Sequence, residues 1–313
     1  VAQNGHIATL FQTPSNAGRS VAAYHFHIKA RSAPMTQQSF IELSDGNKIP
    51  QVGLGTWKLD GESMQGVVEA AIAAGYRHFD TAYAYRNEAA LGAALKASGV
   101  SADELFITSK LPSGRHGYDS TLKTFDETMA NLGVDVLDLY LIHWPMPRTG
   151  NFVDTFKAFI TLRDAGRIKS IGVSNFHQAH LEKLIAETGV TPAVNQIELS
   201  PVFQQKDLRA FNDEHGIATE SWSPLGQGDV LTSATIKEIA QKHGRTPGQI
   251  TIRWHVQNGL IVIPKSANPQ RIAENFAVFD FELDADDMTR IEALDSANGR
   301  TGVNPDEGEF LQV

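Results

Sequence analysis

From Val52 onward the chain repeats one pattern eight times, a short apolar run followed by a longer stretch with helical periodicity. The apolar runs are VGLGT (52–56), HFDTA (78–82), LFITSK (105–110), LDLYLIHW (137–144), IKSIGVS (168–174), AVNQIEL (193–199), IATESWS (217–223) and LIVIPKS (260–266). The helical stretches fall near 63–74, 87–98, 120–132, 153–165, 177–187, 206–215, 234–243 and 269–276. Gly75, Gly99, Gly133, Gly166 and Gly189 stand just past five of them, where a left-handed residue ends a helix. Strands joined by helices lie parallel with right-handed crossovers, so eight such units predict an α/β fold of the (β/α)8 TIM-barrel type. Two further helical patches, 247–257 and 285–293, read as additions to that plan. Ahead of the first strand, SFIEL and KIPQV flank SDGN, and Asp45-Gly46 supplies the turn chemistry of a β-hairpin that would close the N-terminal face of the barrel. No linker rich in Pro, Gly or Ser divides residues 39–313, which read as one domain.

Residues 1–38 follow a different rule. Between Val1 and Pro34 there are three basic residues, Arg19, Lys29 and Arg31, no Asp or Glu, and no clear periodicity, and Met35 stands just before the first patterned strand. This leader is expected to lie outside the fold. An upstream extension of the reading frame with Met35 as natural start, a targeting segment and a genuine extension all fit it.

Charge and composition narrow the function. With 27 Lys+Arg against 36 Asp+Glu, the net charge of −9 argues against a nucleic-acid surface. The absence of cysteine excludes disulfides, thiolate metal sites and a cysteine nucleophile. No apolar run is long enough for a membrane span, and a cytoplasmic monomer is the expected state.

In a barrel of this kind the chemistry sits at the C-terminal ends of the strands. Asp80, Lys110 and His143 end the second, third and fourth strands, and Tyr85 follows the second, so the four converge on one patch of the mouth. Their chemistry fits together. A tyrosine hydroxyl is a poor proton donor to a carbonyl oxygen unless a neighbouring ammonium stabilises the phenolate, which Lys110 can do. Asp80 would keep that ammonium charged, and His143 can hydrogen-bond the same substrate oxygen. Such a site reduces a carbonyl.

DTAYAY followed by NE, SK after LFIT, LIHWP, IGVSNF, VNQIEL and IPKS with Arg and EN downstream resemble the aldo-keto reductase superfamily over about 275 residues from Ser39. The PAVNQIEL, ESWSPLGQG, RWHVQNG and NPDE segments are most similar to its bacterial 2,5-diketo-D-gluconic acid reductases. The resemblance implies Tyr85 as general acid, completed by Asp80, Lys110 and His143, and an NADP(H) cofactor.

No GxGxxG follows the first strand, so side chains would have to hold a nicotinamide. Ser174, Asn175 and Gln196 offer donors and acceptors for a carboxamide, and Trp222 offers a flat face. The SPLGQG loop, with Ser223, Leu225 and Gly226, offers backbone N–H groups to a pyrophosphate. Lys265, Ser266 and Arg271 form a cationic cluster suited to a 2′-phosphate, which favours NADP(H) over NAD(H). The family pattern adds Asn268, with Glu274 and Asn275 toward the adenine, and Thr56 and Trp57 to the cofactor side. It also places Trp57 and Trp144 beside Tyr85 and His143 as substrate wall. Phe176, His116, Tyr118 and the tail from Asn298 to Val313 are read as shaping the mouth. The resemblance implies a small-molecule aldehyde or ketone as substrate, a diketo acid such as 2,5-diketo-D-gluconate among the candidates. A metal-dependent hydrolase using Asp80 and His143 lacks any HxH or HExxH pair, so no metal is expected. A non-catalytic NADP(H)-binding regulatory protein on the same fold is the alternative reading.

Overall fold

The computed structural model describes residues 38–149 and 151–307. The leader expectation for residues 1–37, and the end of the tail including Phe310, lie outside the described residues. Gln38 itself is tied to the fold by a 2.7 Å bond from its Nε2 to Val52 O.

Strands β1 (Phe40–Glu42) and β2 (Lys48–Pro50) form the expected antiparallel hairpin, with Ile41 opposite Ile49. Its turn is set by Asp45 Oδ1 accepting from Asn47 N at 3.1 Å and by Gly46 at φ 86°, a left-handed angle that needs glycine. Eight parallel strands follow, each hydrogen-bonded to the next: β3 (Leu54–Gly55), β4 (His78–Asp80), β5 (Phe106–Leu111), β6 (Leu137–Ile142), β7 (Ile168–Ser174), β8 (Val194–Glu198), β9 (Ala218–Trp222) and β10 (Ile261–Val262). Gly53 N to Val262 O at 2.9 Å, Val262 N to Gln51 O at 2.9 Å and Gly55 N to Pro264 O at 3.2 Å join the first strand to the last and close the barrel.

The connecting helices are α1 (Gly61–Ala74), α2 (Glu88–Ala97), α3 (Tyr118–Leu132), α4 (Phe152–Asp164), α5 (Gln178–Thr188), α6 (Lys206–Glu214), α7 (Ala234–His243), α8 (Pro247–Gln257), α9 (Pro269–Phe276) and α10 (Ala285–Glu292). One assignment changes. The patch at 247–257 is not an addition to the plan: α8 packs on β10 and α9 with Ile250, Ile252, Trp254 and His255 buried, so it is a barrel helix. The additions are α7 and α10, which Asp287 clasps together through Lys242 at 2.8 Å and His243 at 2.7 Å. Close helix packing sets where the barrel helices sit: a Cβ on Gly92 of α2 would lie 2.2 Å from Leu132 O of α3, so the contact admits no side chain.

Side chains alternate in and out along a strand, and this sorts the barrel interior into layers. Phe106, Leu139, Leu141, Val194 and Ile261 pack with Leu43 and Ile49 of the hairpin segment as an apolar floor. Two residues beyond Phe106 on β5, at Thr108, and at His78 of β4 and Glu220 of β9, the interior turns polar, and all three side chains are buried. Above these lie Asp80, Lys110 and Gln196, also buried. Out-facing Phe79, Ile107, Tyr140 and Ile171 join the larger apolar layer beneath the helices. That layer and the floor bury the strands on both faces while leaving the upper ends to polar groups.

Candidate active site

Burying an ammonium needs a partner, and Lys110 has two. Its Nζ, fully buried, donates to Asp80 Oδ1 at 2.6 Å and to Thr81 O at 2.9 Å. Burial pulls the Lys110 ammonium toward the neutral form, but Asp80 and Tyr85 outweigh it and the net direction is up, so the lysine stays charged. Asp80 is pushed up by burial while Lys110 and Gln196 pull it down. Its second oxygen, Oδ2, accepts from Gln196 Nε2 at 2.9 Å.

Tyr85 closes a single 3-10 turn after β4 and is followed by Arg86 in the left-handed conformation, φ 57°. The Lys110 Nζ lies 5.2 Å from its ring centroid, and the His143 ring meets it edge-on at 5.7 Å and 71°. The sequence predicts that Lys110 brings the phenol down toward the working range. Lys110 does pull in that direction, by charge and by hydrogen bond, but burial dominates and the net shift is upward. The hydroxyl is therefore protonated at neutral pH, the form a proton donor needs, and the adjacent ammonium acts on the phenolate left behind. His143 is held well below the ordinary histidine range by burial and then by Lys110, so it is neutral, and its Nδ1 has no partner among the described residues.

Asp80, Tyr85 and His143 line a cavity of about 470 Å³ at the barrel mouth, together with Trp57, Trp144, Ser174, Asn175, Gln196, Trp222, Ser223 and Lys265. Lys110 stands behind that wall. Trp57 is 45% exposed at the rim, with Lys58 Nζ 4.1 Å over its ring, whereas Trp144 is buried. Two neighbouring turns carry left-handed residues that are not glycine, Asn175 at φ 63° and Ser223 at φ 50°, a local strain that the surrounding bonds hold in place. Asn175 Nδ2 donates to His143 O at 2.9 Å and Ser174 Oγ at 3.1 Å, and its Oδ1 accepts from Trp222 Nε1 at 2.8 Å. That last bond fixes the indole plane.

Gln196 is not at a strand end, since β8 runs on to Glu198. Both of its amide hydrogens are committed, one to Asp80 Oδ2 and one to Glu220 Oε2, each at 2.9 Å. What it can offer a carboxamide is an acceptor, Oε1, rather than a donor. Ser174 Oγ is likewise committed as a donor, to Gln196 O at 2.9 Å.

Other candidates are used differently from expectation. Thr56 is buried and bonds Asp80 O from both its amide and its hydroxyl at 2.9 Å, bracing the β4 end. Phe176 is fully buried against Phe152 and His180, at 5.3 and 5.8 Å, and belongs to the core rather than the mouth. His116 and Tyr118 do not line the cavity: His116 is half-buried with neither ring nitrogen hydrogen-bonded among the described residues, and Tyr118 bonds Thr161 across the surface. In the 223–228 loop the Gly226 and Gly228 amides are already engaged by Ser223 O and Leu225 O, both at 2.9 Å, so fewer N–H groups remain than the loop's composition suggests. Beyond β10, Lys265 and Arg271 are exposed at the N-terminal end of α9, Ser266 is buried, and Asn268 caps the helix by accepting from Arg271 N at 3.0 Å. Glu274 accepts from Gln270 Nε2 at 2.8 Å, and Asn275 is buried.

Two carboxylates were missed. Glu220 lies beneath the site, and Glu198 accepts from Thr301 N and Oγ1 at 2.6 Å and from Gly302 N at 2.9 Å, pinning the tail where Gly302 and Val303 line the cavity. The available signal was their place in the strand alternation, acids at inward-facing positions of the β8 and β9 runs.

A family model described as "Aldo/keto reductase family" matches residues 51–296. An aldo-keto reductase of Mycolicibacterium smegmatis is 57% identical over 265 residues, covering 85% of this chain and 96% of its own length. The methylglyoxal reductase DkgA of Salmonella typhimurium is 50% identical over 275 residues, covering 87% of this chain and 99% of its own. Among solved structures, a mutant of Gox0644 in complex with NADPH superposes with a TM-score of 0.85 at 52% identity, over 87% of this chain and 99% of that one. The chain therefore belongs to the aldo/keto reductase family of oxidoreductases.

Proposed function

We propose that the protein reduces an aldehyde or ketone with NADPH, and that Tyr85 donates the proton to the carbonyl oxygen. The observation that carries this is the buried Lys110–Asp80 pair at 2.6 Å, set directly behind a tyrosine that shares one cavity wall with a neutral histidine. Bound NADPH supplies hydride to the carbonyl carbon. The groups present suit that cofactor: Trp222 is locked edge-on by Asn175 as a flat plate, Gln196 presents an amide oxygen, and two exposed cations flank a helix N-terminus beyond β10. Asp80 keeps Lys110 charged, Lys110 stabilises the phenolate, and His143 directs a hydrogen bond to the oxygen on which negative charge develops. Trp57 and Trp144 exclude water around the carbonyl.

The relatives named for methylglyoxal, and the diketogluconate-like sequence segments, direct the substrate reading to small dicarbonyls. A cavity of about 470 Å³ accommodates these. The test is NADPH consumption followed by absorbance against methylglyoxal, 2,5-diketo-D-gluconate, aromatic aldehydes and simple ketones. Tyr85→Phe should lower turnover roughly 10²–10⁴-fold while NADPH still binds. Ordinary turnover in that variant would overturn the assignment of Tyr85.

A further inference from the structure

Beneath Asp80 the barrel buries a second carboxyl, Glu220, that the reaction described above does not use. Gln196 Nε2 is shared between them, donating to Asp80 Oδ2 and Glu220 Oε2 at 2.9 Å each. The groups facing Glu220 are few. His78 and Asp80 come from β4, Lys110 from β5, the uncharged Gln196 from β8, and Tyr85 from the turn after β4; β10 presents Ile261. The buried cluster thus holds two carboxyls and one ammonium. Two carboxylates there would leave an uncompensated charge in the barrel interior, which is costly.

Which carboxyl keeps a proton follows from their partners: Asp80 has the Lys110 ammonium at 2.6 Å, and Glu220 has no cation bonded to it among the described residues. His78 Nδ1 lies 3.2 Å from Pro50 O, and a carbonyl only accepts, so Nδ1 carries the hydrogen. Nε2 is then a lone pair, which Thr108 Oγ1 reaches at 3.2 Å and which also faces Glu220 Oε1 at 3.7 Å. His78 thus gives Glu220 Oε1 no hydrogen, and that oxygen has no hydrogen-bond partner among the described residues, which suits a neutral acid better than a carboxylate. Burial and the neighbouring Asp80 act in the same direction, raising Glu220 to about 8, and burial holds His78 near 3.

We infer that Glu220 is a positioning residue that stands beneath the site as a neutral acid and gives its proton up to solvent when an oxidised, positively charged nicotinamide rests against Gln196. As an acid it leaves Lys110 committed to Asp80 and Tyr85. As a carboxylate it balances the ring's charge through the amide between them. The same protein therefore distinguishes the two cofactor forms by the protonation of one group. This rests on the NADP(H) reading above.

Two measurements test it. In cofactor-free protein at neutral pH, the infrared C=O stretch of a protonated carboxyl should be present and should disappear in Glu220→Gln; its absence from the wild type overturns the inference. Calorimetric titration in two buffers of different ionisation enthalpy should show a fraction of a proton released on binding NADP+ beyond that seen with NADPH. The phosphates of both forms titrate alike and cancel in the difference. Glu220→Gln preserves the acceptor toward Gln196 and a donor toward His78, so it should bind both forms and lose the difference. Equal proton counts in the wild type, or a difference surviving in Glu220→Gln, overturn it. If neither cofactor binds, the cofactor reading fails instead, and the infrared result still decides the state of Glu220.

Discussion

Lys110 shows how one buried side chain governs its neighbours. Fully enclosed, it remains an ammonium only because Asp80 lies 2.6 Å away, and Asp80 tolerates burial only because Lys110 and Gln196 occupy its two oxygens. Lys110→Met fills the same volume but leaves that carboxylate without its cation. Breaking a buried pair in this way costs about 3–5 kcal/mol, so the variant should lose stability in denaturant titration as well as turnover. Tyr85 gives a pH prediction. A donor whose value lies above the ordinary tyrosine is protonated throughout the neutral range and loses its proton only as pH rises through that value. Carbonyl reduction should therefore show no Tyr85-linked loss across neutral pH and fall in the alkaline range, as read from the pH profile of kcat. A Tyr85-linked inflection near neutrality would contradict the burial-dominated environment.

Among the elements, α9 and the stretch before it act as a unit. Asn268 caps the helix, Ser266 Oγ accepts from Asn268 N at 3.1 Å, and Pro269 opens the first turn. Lys265 and Arg271 are left exposed around that N-terminus, where the two cations favour a phosphate. Replacing both by Ala should raise KM for NADPH roughly 10–100-fold and leave KM for NADH nearly unchanged, since about 1.4 kcal/mol is tenfold. Equal changes for both would remove the 2′-phosphate role. The α7–α10 pairing, by contrast, rests on Asp284 and Asp287 meeting Lys242 and His243 outside the barrel. Helical periodicity in the sequence identified all these helices but not which of α7 and α8 packs on a strand, because periodicity reports an apolar face and not the surface that covers it.

For the molecule as a whole, the tail is attached at the site itself. Glu198, at the end of β8, receives three donors from Thr301 and Gly302, and a Cβ on Gly302 would meet the Trp222 ring at 2.7 Å. Asp306 adds a second attachment at His177 Nδ1, 2.8 Å. Glu198→Gln should loosen this segment. Limited proteolysis beyond Ser296 should quicken about tenfold, as expected for a loss near 1.4 kcal/mol, and KM for the carbonyl substrate should rise while the thermal unfolding of the barrel changes little. Unchanged proteolysis would show that Asp306 and packing suffice.

The alternation of apolar runs and helices determined the barrel and its hairpin floor, because period 2 and period 3.6 are local properties of the chain. The same alternation, with the rule that strand ends carry chemistry, brought Asp80, Tyr85, Lys110 and His143 to one patch. Only the tertiary structure decided that Phe176 faces the core, that Gln196 has no hydrogen left to give, that burial outweighs Lys110 at Tyr85, and that Glu220 shares an amide with Asp80. Each of these depends on which groups from distant strands meet across the barrel axis, where water is excluded and a single neighbour sets the charge.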